Sequence, residues 1–153
     1  MHQRFRVLEL ASLASGEQAA AFLAAVRCLV STAAGVDHID LAECARRGVV
    51  VANSGTVYSA DVADHAVGVL VVVLRRVSAA ERFVRRRLWP LHDGGYPLGS
   101  KLGGKRVGII GLGNIGSLIA KRLEAFGCVI YYHSRRPKDS VSYRYFPNVH
   151  HRF

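Results

Sequence analysis

Gly111, Gly113 and Gly116 stand in the run GLGNIG, directly after the apolar stretch VGII at 107–110. Ser134, Arg135 and Arg136 follow about 20 residues beyond the first glycines. A glycine that permits a tight turn, one that leaves bare backbone and one that lets a helix pack closely can together seat a pyrophosphate. Backbone N–H groups and the positive end of the helix would hold it. Gly111, Gly113 and Gly116 are predicted to take these three roles in order. The end of the following strand is where the adenosine ribose is read. A carboxylate there would accept the ribose hydroxyls and repel a 2′-phosphate, whereas a guanidinium fork with a hydroxyl would bind that phosphate through charge-assisted bonds. Ser134, Arg135 and Arg136 occupy the position, and Asp139 comes too late, beyond Pro137. The expected cofactor is NADP.

These residues need a strand, a helix and a second strand to place them. Residues 107–110 read as a buried parallel strand and 128–132 as its neighbour. Between them Ile115, Leu118, Ile119, Leu123 and Phe126 predict the inward face of a helix, with Lys121, Arg122 and Glu124 turned out and Gly127 as its stop. Upstream, the pattern predicts a strand at 5–10, a helix at 17–26 and a strand at 27–31. A helix capped by Asp40 and ended by Gly48, then a strand at 49–52, complete this alternating α/β layer. Residues 59–88 predict one long helical stretch, bent or broken, with Val62, Ala66, Val69, Leu70, Val73 and Val77 as its apolar face. The run at 89–104, with two prolines and five glycines, reads as a connection. After Tyr132 the periodicities fade, and the residues to Phe153 predict neither a complete helix nor further βαβ units.

The expected fold class is α/β: a partial Rossmann nucleotide-binding fold preceded by a partial flavodoxin-like α/β substrate domain. The expected division is a partial substrate domain at 1–55, a joining helix and connection at 56–104, and the first part of the nucleotide domain at 105–153. The charge follows the same order. Residues 75–153 hold 16 Lys or Arg against 4 Asp or Glu, residues 1–74 hold 5 against 7, so anionic partners belong with the second half. Cys28, Cys44 and Cys128 show no metal-ligand spacing and read as buried free thiols of a reducing, cytoplasmic compartment. The start, MHQRFRVLEL, has no signal-peptide pattern, and the longest apolar run, at 66–74, falls far short of the roughly 20 residues that span a bilayer.

Four stretches together resemble the D-isomer-specific 2-hydroxyacid dehydrogenases, in particular the plant hydroxypyruvate and glyoxylate reductases that prefer NADPH. They are STAAGVDHIDL at 31–41, GVVVANSG at 48–55, DVADHAVGVLVVVLRR at 61–76 and KRVGIIGLGNIG at 105–116. The resemblance covers about 27–147 and implies reduction of a small 2-keto acid to the D-2-hydroxy acid or glycolate. It implies that Ala34 and Gly35 form the turn whose N–H groups meet the substrate carboxylate. It also implies that Gly111, Gly113, Asn114, Ile115 and Gly116 form the pyrophosphate loop, and that Ser134, Arg135 and Arg136 form the 2′-phosphate pocket. The helix carrying DVAD would contribute to homodimer contacts. The family often has Thr-Pro after the Asn of the preceding strand, and Ser54 and Gly55 after Asn53 predict a looser loop here. The family's catalytic Arg, Glu and His lie downstream of the second strand. None matches a position of this chain, which predicts a partial product with no catalytic residue assigned.

His38 and His65 read as structural or solvated, and His92 as a surface residue. His133 lies at the adenosine end, the wrong end for proton donation, and His150 and His151 have no nearby acid. Two other readings compete with a reductase. One is a catalytically inactive NADP-binding fragment that pairs with full-length relatives. The other takes RRVSAAERFVRRR at 75–87 as a face for nucleic acid or an acidic membrane. That run lacks interleaved aromatics and any recognised module, so it predicts a solvated face and neither a specific nucleic acid nor a membrane.

Overall fold

The structure, a computed structural model, describes residues 25–89, 96 and 98–149. The strand expected at 5–10, nearly all of the helix expected at 17–26, and His92, His150 and His151 lie outside these residues. The chain forms two units, residues 1–55 and 56–153.

In the first unit, β1 (Cys28–Ser31) and β2 (Val50–Asn53) pair in parallel, with α1 (Leu41–Arg46) between them in sequence. The Asp40 carboxylate accepts from the Glu43 N–H at 2.9 Å, the cap its position predicts. Hydrogen bonds from Arg46 and then Arg47 lower the Glu43 carboxyl from an ordinary 4.5 to about 2. Cys28 is exposed while Cys44 and Cys128 are half-buried, which corrects the expectation of three buried thiols; β1 alternates exposed and half-buried residues, and Cys28 falls on its open face.

The second unit is built on a parallel sheet of β3 (Arg106–Ile110), β4 (Val129–His133) and β5 (Arg144–Tyr145), in that order. The short β5 is a strand that fading periodicity could not predict. Tyr131 and Tyr132 of β4 align with Arg144 and Tyr145, and the Phe146 N–H bonds to the Tyr132 carbonyl at 2.8 Å. Between β3 and β4 runs α4 (Asn114–Glu124), ended by a turn in which the Gly127 N–H meets the Glu124 carbonyl at 2.8 Å and the Cys128 N–H meets the Leu123 carbonyl at 3.2 Å.

The long helical stretch is two helices, α2 (Ser59–Leu74) and α3 (Val77–Arg85). The break falls at Arg76, whose φ of 54° is left-handed. Tyr96 secures it: its hydroxyl donates to the Arg76 carbonyl at 3.2 Å, and the Arg76 guanidinium lies 5.6 Å from the centre of its ring. The core gathers Leu102, Ile109, Leu112, Ala120, Leu123, Ile130 and Tyr132. Val67, Leu70, Val71 and Leu74 of α2 pack against it.

Two predicted helix faces are corrected. The buried positions of α4 are Gly116, Ala120 and Leu123, while Ile115 and Phe126 are exposed. Arg122, expected to point outward, instead joins α4 to α2 through the Asp64 carboxylate and the Ala60 carbonyl. Along α2, Ala63 is buried and Leu70 packs inward, but Val62, Val69 and Val73 of the predicted apolar face are exposed. Among the described residues no helix is long and apolar enough to cross a membrane.

Candidate functional site

At the carboxyl end of β3 the chain must reverse into α4 within three residues. Gly111 does so with a φ of 93°, a backbone conformation that L side chains rarely adopt, and its N–H bonds to the His133 carbonyl at 2.8 Å. Leu112 then turns into the core and Gly113 becomes the residue that caps the helix. A Cβ at Gly116 would lie 2.0 Å from the Gly111 carbonyl oxygen and 3.3 Å from Ile109 Cγ2. The helix can approach the turn this closely only with glycine there. Gly113 differs: its φ of −82° suits any residue and a Cβ would meet nothing within 4 Å. Neither backbone strain nor protein packing calls for glycine at 113, and the space beside it is open.

The first turn of α4 has no side-chain cap and no acidic residue. Its leading N–H groups and its dipole therefore have neither a side-chain cap nor a nearby carboxylate, a setting that favours an anion. This helix end opens on a groove of about 1070 Å³. One wall is Ile110, Gly111, Leu112 and Gly113, and the other is residues 133–138. The site brings together Gly111, Gly113, Ser134, Arg135 and Arg136 as their spacing predicts. Asn114 and Ile115 lie in the first helical turn outside the lining, and Gly116 is buried beneath it.

Arg135 and Arg136 are exposed, and neither forms an ion pair among the described residues. The Ser134 hydroxyl donates to the Arg136 carbonyl at 2.6 Å, so it closes the loop and would have to rotate to donate to a phosphate. Lys138 also lines the groove, a third cation that the sequence reading passed over. The signal was its place two residues past Arg136. The His133 ring bonds through Nδ1 to the Phe146 carbonyl at 2.9 Å. Burial and then the Glu124 carboxylate push the Tyr143 hydroxyl upward, but Tyr143 does not line the groove. No group of His, Cys, Asp and Glu suited to hold a metal ion occurs among the described residues.

In the first unit, the Asn53 side chain donates to the Ala34 carbonyl at 2.7 Å and accepts from the Gly55 N–H at 3.1 Å. Asn53 thereby ties the 33–35 turn to the loop that follows β2. The loop of Ser54 and Gly55, expected to be looser than the family's, carries this Asn53 bond to the Gly55 N–H. A Cβ at Gly35 would lie 3.3 Å from Asp37 Oδ2, a tight contact that a small shift of that side chain would relieve.

A parallel sheet that presents a glycine turn and an uncapped helix end defines the class: a Rossmann-type nucleotide-binding fold. The chain belongs to the D-isomer specific 2-hydroxyacid dehydrogenase family, whose NAD binding domain matches residues 67–150. It is 57% identical over 127 residues to the glyoxylate/hydroxypyruvate reductase HPR3 of Arabidopsis thaliana, covering 83% of this chain and 39% of that relative. It is 47% identical over 119 residues to the glyoxylate/hydroxypyruvate reductase A HPR2 of the same plant, covering 78% of this chain and 37% of that one. Among solved structures, an NADPH-dependent glyoxylate/hydroxypyruvate reductase of Sinorhizobium meliloti in complex with NADP and malonate superposes with a TM-score of 0.73 at 39% identity. The match covers 81% of this chain and 39% of that one. The chain thus spans about two fifths of the length of these relatives.

Proposed function

We propose that the chain serves an NADPH-dependent reductase that converts hydroxypyruvate or glyoxylate to the D-hydroxy acid or glycolate. On this reading residues 1–55 belong to the substrate domain, 56–104 join the two parts, and 105–153 begin the nucleotide domain. The observation that carries it is the groove in which Gly113 leaves open space before an uncapped helix end and Arg135 and Arg136 have no ion-pair partner among the described residues. The pyrophosphate would lie over Gly111 and Gly113 at the start of α4, with Asn114 and Ile115 supplying N–H groups. The 2′-phosphate would meet Arg135, Arg136 and, after rotation of its hydroxyl, Ser134. NADPH when bound would supply the hydride. The Ala34 and Gly35 turn, steadied by Asn53, would offer N–H groups to the substrate carboxylate. Kinship with reductases supports this reading over an inactive binding fragment. Three free thiols support a reducing, cytoplasmic setting.

The test is the pair of dissociation constants for NADPH and NADH. NADPH should bind more tightly by at least about tenfold, as expected for charge-assisted bonds to the extra phosphate. Tighter binding of NADH would contradict the assignment of the arginines.

A homodimer through α2 is part of the same reading. Val62, Val69, Val72 and Val73 are exposed although α2 already packs its other side on the core. A helix apolar on both sides has two surfaces to cover.

A further inference from the structure

The arginine loop hangs between two tyrosines. Residues 134–138 leave the end of β4 and pass over Tyr132, a residue 1% exposed. The Tyr132 hydroxyl accepts the Lys138 N–H at 2.8 Å, which fastens the far end of the loop. The Tyr145 hydroxyl donates to the Ser134 carbonyl at 3.2 Å, which fastens the near end. The two rings pack against each other with centroids 5.4 Å apart, and Tyr145 is fixed by its place in β5 opposite Tyr132. Inside the loop, Ser134 Oγ donates to the Arg136 carbonyl at 2.6 Å, and Pro137 restricts the backbone between the arginines and Lys138.

We propose that Tyr132 and Tyr145 are positioning residues for 2′-phosphate recognition, setting the backbone from which Arg135 and Arg136 reach the ligand. The inference rests on the NADP reading given above. The contribution of the two tyrosines is preorganisation. The two guanidiniums have no ion-pair partner among the described residues, so the loop backbone is what sets where their stems begin. A bidentate contact to a phosphate tolerates only small displacements, and a loop ordered before binding loses less freedom on binding. Neither tyrosine hydroxyl needs to touch the ligand. Each holds one end of the loop, and β5 thereby joins the cofactor site without lining it.

The test replaces each hydroxyl while keeping its ring, with Tyr132→Phe, Tyr145→Phe and the double variant. Binding of 2′,5′-ADP and of 5′-AMP, which lacks the 2′-phosphate, is measured by calorimetry on the full chain beside a thermal melt. The double variant should bind 2′,5′-ADP about tenfold more weakly and each single variant about threefold. Affinity for 5′-AMP should change by less than about twofold, because the glycine turn does not depend on these hydroxyls. Equal losses for both nucleotides would overturn the proposal in favour of a general structural role, and unchanged 2′,5′-ADP affinity would overturn it outright. If the double variant shows no melting transition, the single variants decide by the same criteria. Wild-type chain that binds both nucleotides equally would remove the NADP reading and this inference together. Discrimination that survives in the variants would remove the tyrosine role alone.

Discussion

A methyl group added at residue 116 would sit 2.0 Å from a backbone oxygen, whereas one added at residue 113 would meet nothing within 4 Å. Packing therefore requires glycine at 116 and does not require it at 113; on the proposed reading the ligand does. Gly116→Ala should cost about 2 kcal/mol by overpacking and lower the melting temperature by several degrees, read by calorimetry. Gly113→Ala should leave the melting temperature nearly unchanged and weaken NADPH at least about tenfold, read by titration. Replacing Arg135 and Arg136 together with Ala should weaken NADPH by about 10- to 100-fold and NADH by less than about twofold. At this scale the sequence was most legible where a residue type has a single physical use. Gly111 and Gly116 were readable from spacing because left-handed backbone and close approach admit little else. The anchoring of Lys138 and of the Ser134 carbonyl was not, because both depend on tyrosines brought beside the loop by strand pairing.

Among elements, α2 departs furthest from its sequence pattern. The periodicity marked Val62, Ala66, Val69, Leu70, Val73 and Val77 as the apolar face, yet of these Leu70 packs on the core, beside Val67, Val71 and Leu74, while Val62, Val69, Val73 and Val77 are exposed. An apolar helix offers several stripes, and periodicity does not say which one the sheet covers. The break at Arg76 was legible as a limit on helix length but not as a position, because Tyr96 holds it from 20 residues away. Short β5 escaped notice for a similar reason: two residues form no period, and pairing with β4 alone makes them a strand. If the open side of α2 is a dimer surface, Val69→Asp with Val73→Asp should convert a dimer to monomer. Sedimentation at micromolar concentration measures this, and nucleotide affinity should remain within about twofold. A wild-type chain that sediments as a monomer would contradict the dimer.

At the scale of the whole molecule, positive charge is segregated into the half that carries the groove. Such a field attracts polyanions in proportion to their charge and fades as salt shortens its reach from about 10 Å at 0.1 M to about 3 Å at 1 M. NADPH affinity should thus fall more steeply with added salt than NADH affinity, as titrations across that range would show. The proposed use of the groove lined by residues 110–113 and 133–138 depends on a single placement, a phosphorylated ribose against the loop at the end of β4. A crystal structure of the chain grown with NADP tests this most directly. The account predicts the 2′-phosphate within hydrogen-bond distance of Arg135 and Arg136 and the pyrophosphate over Gly111 and Gly113. Electron density that seats the phosphorylated ribose away from these arginines would contradict it.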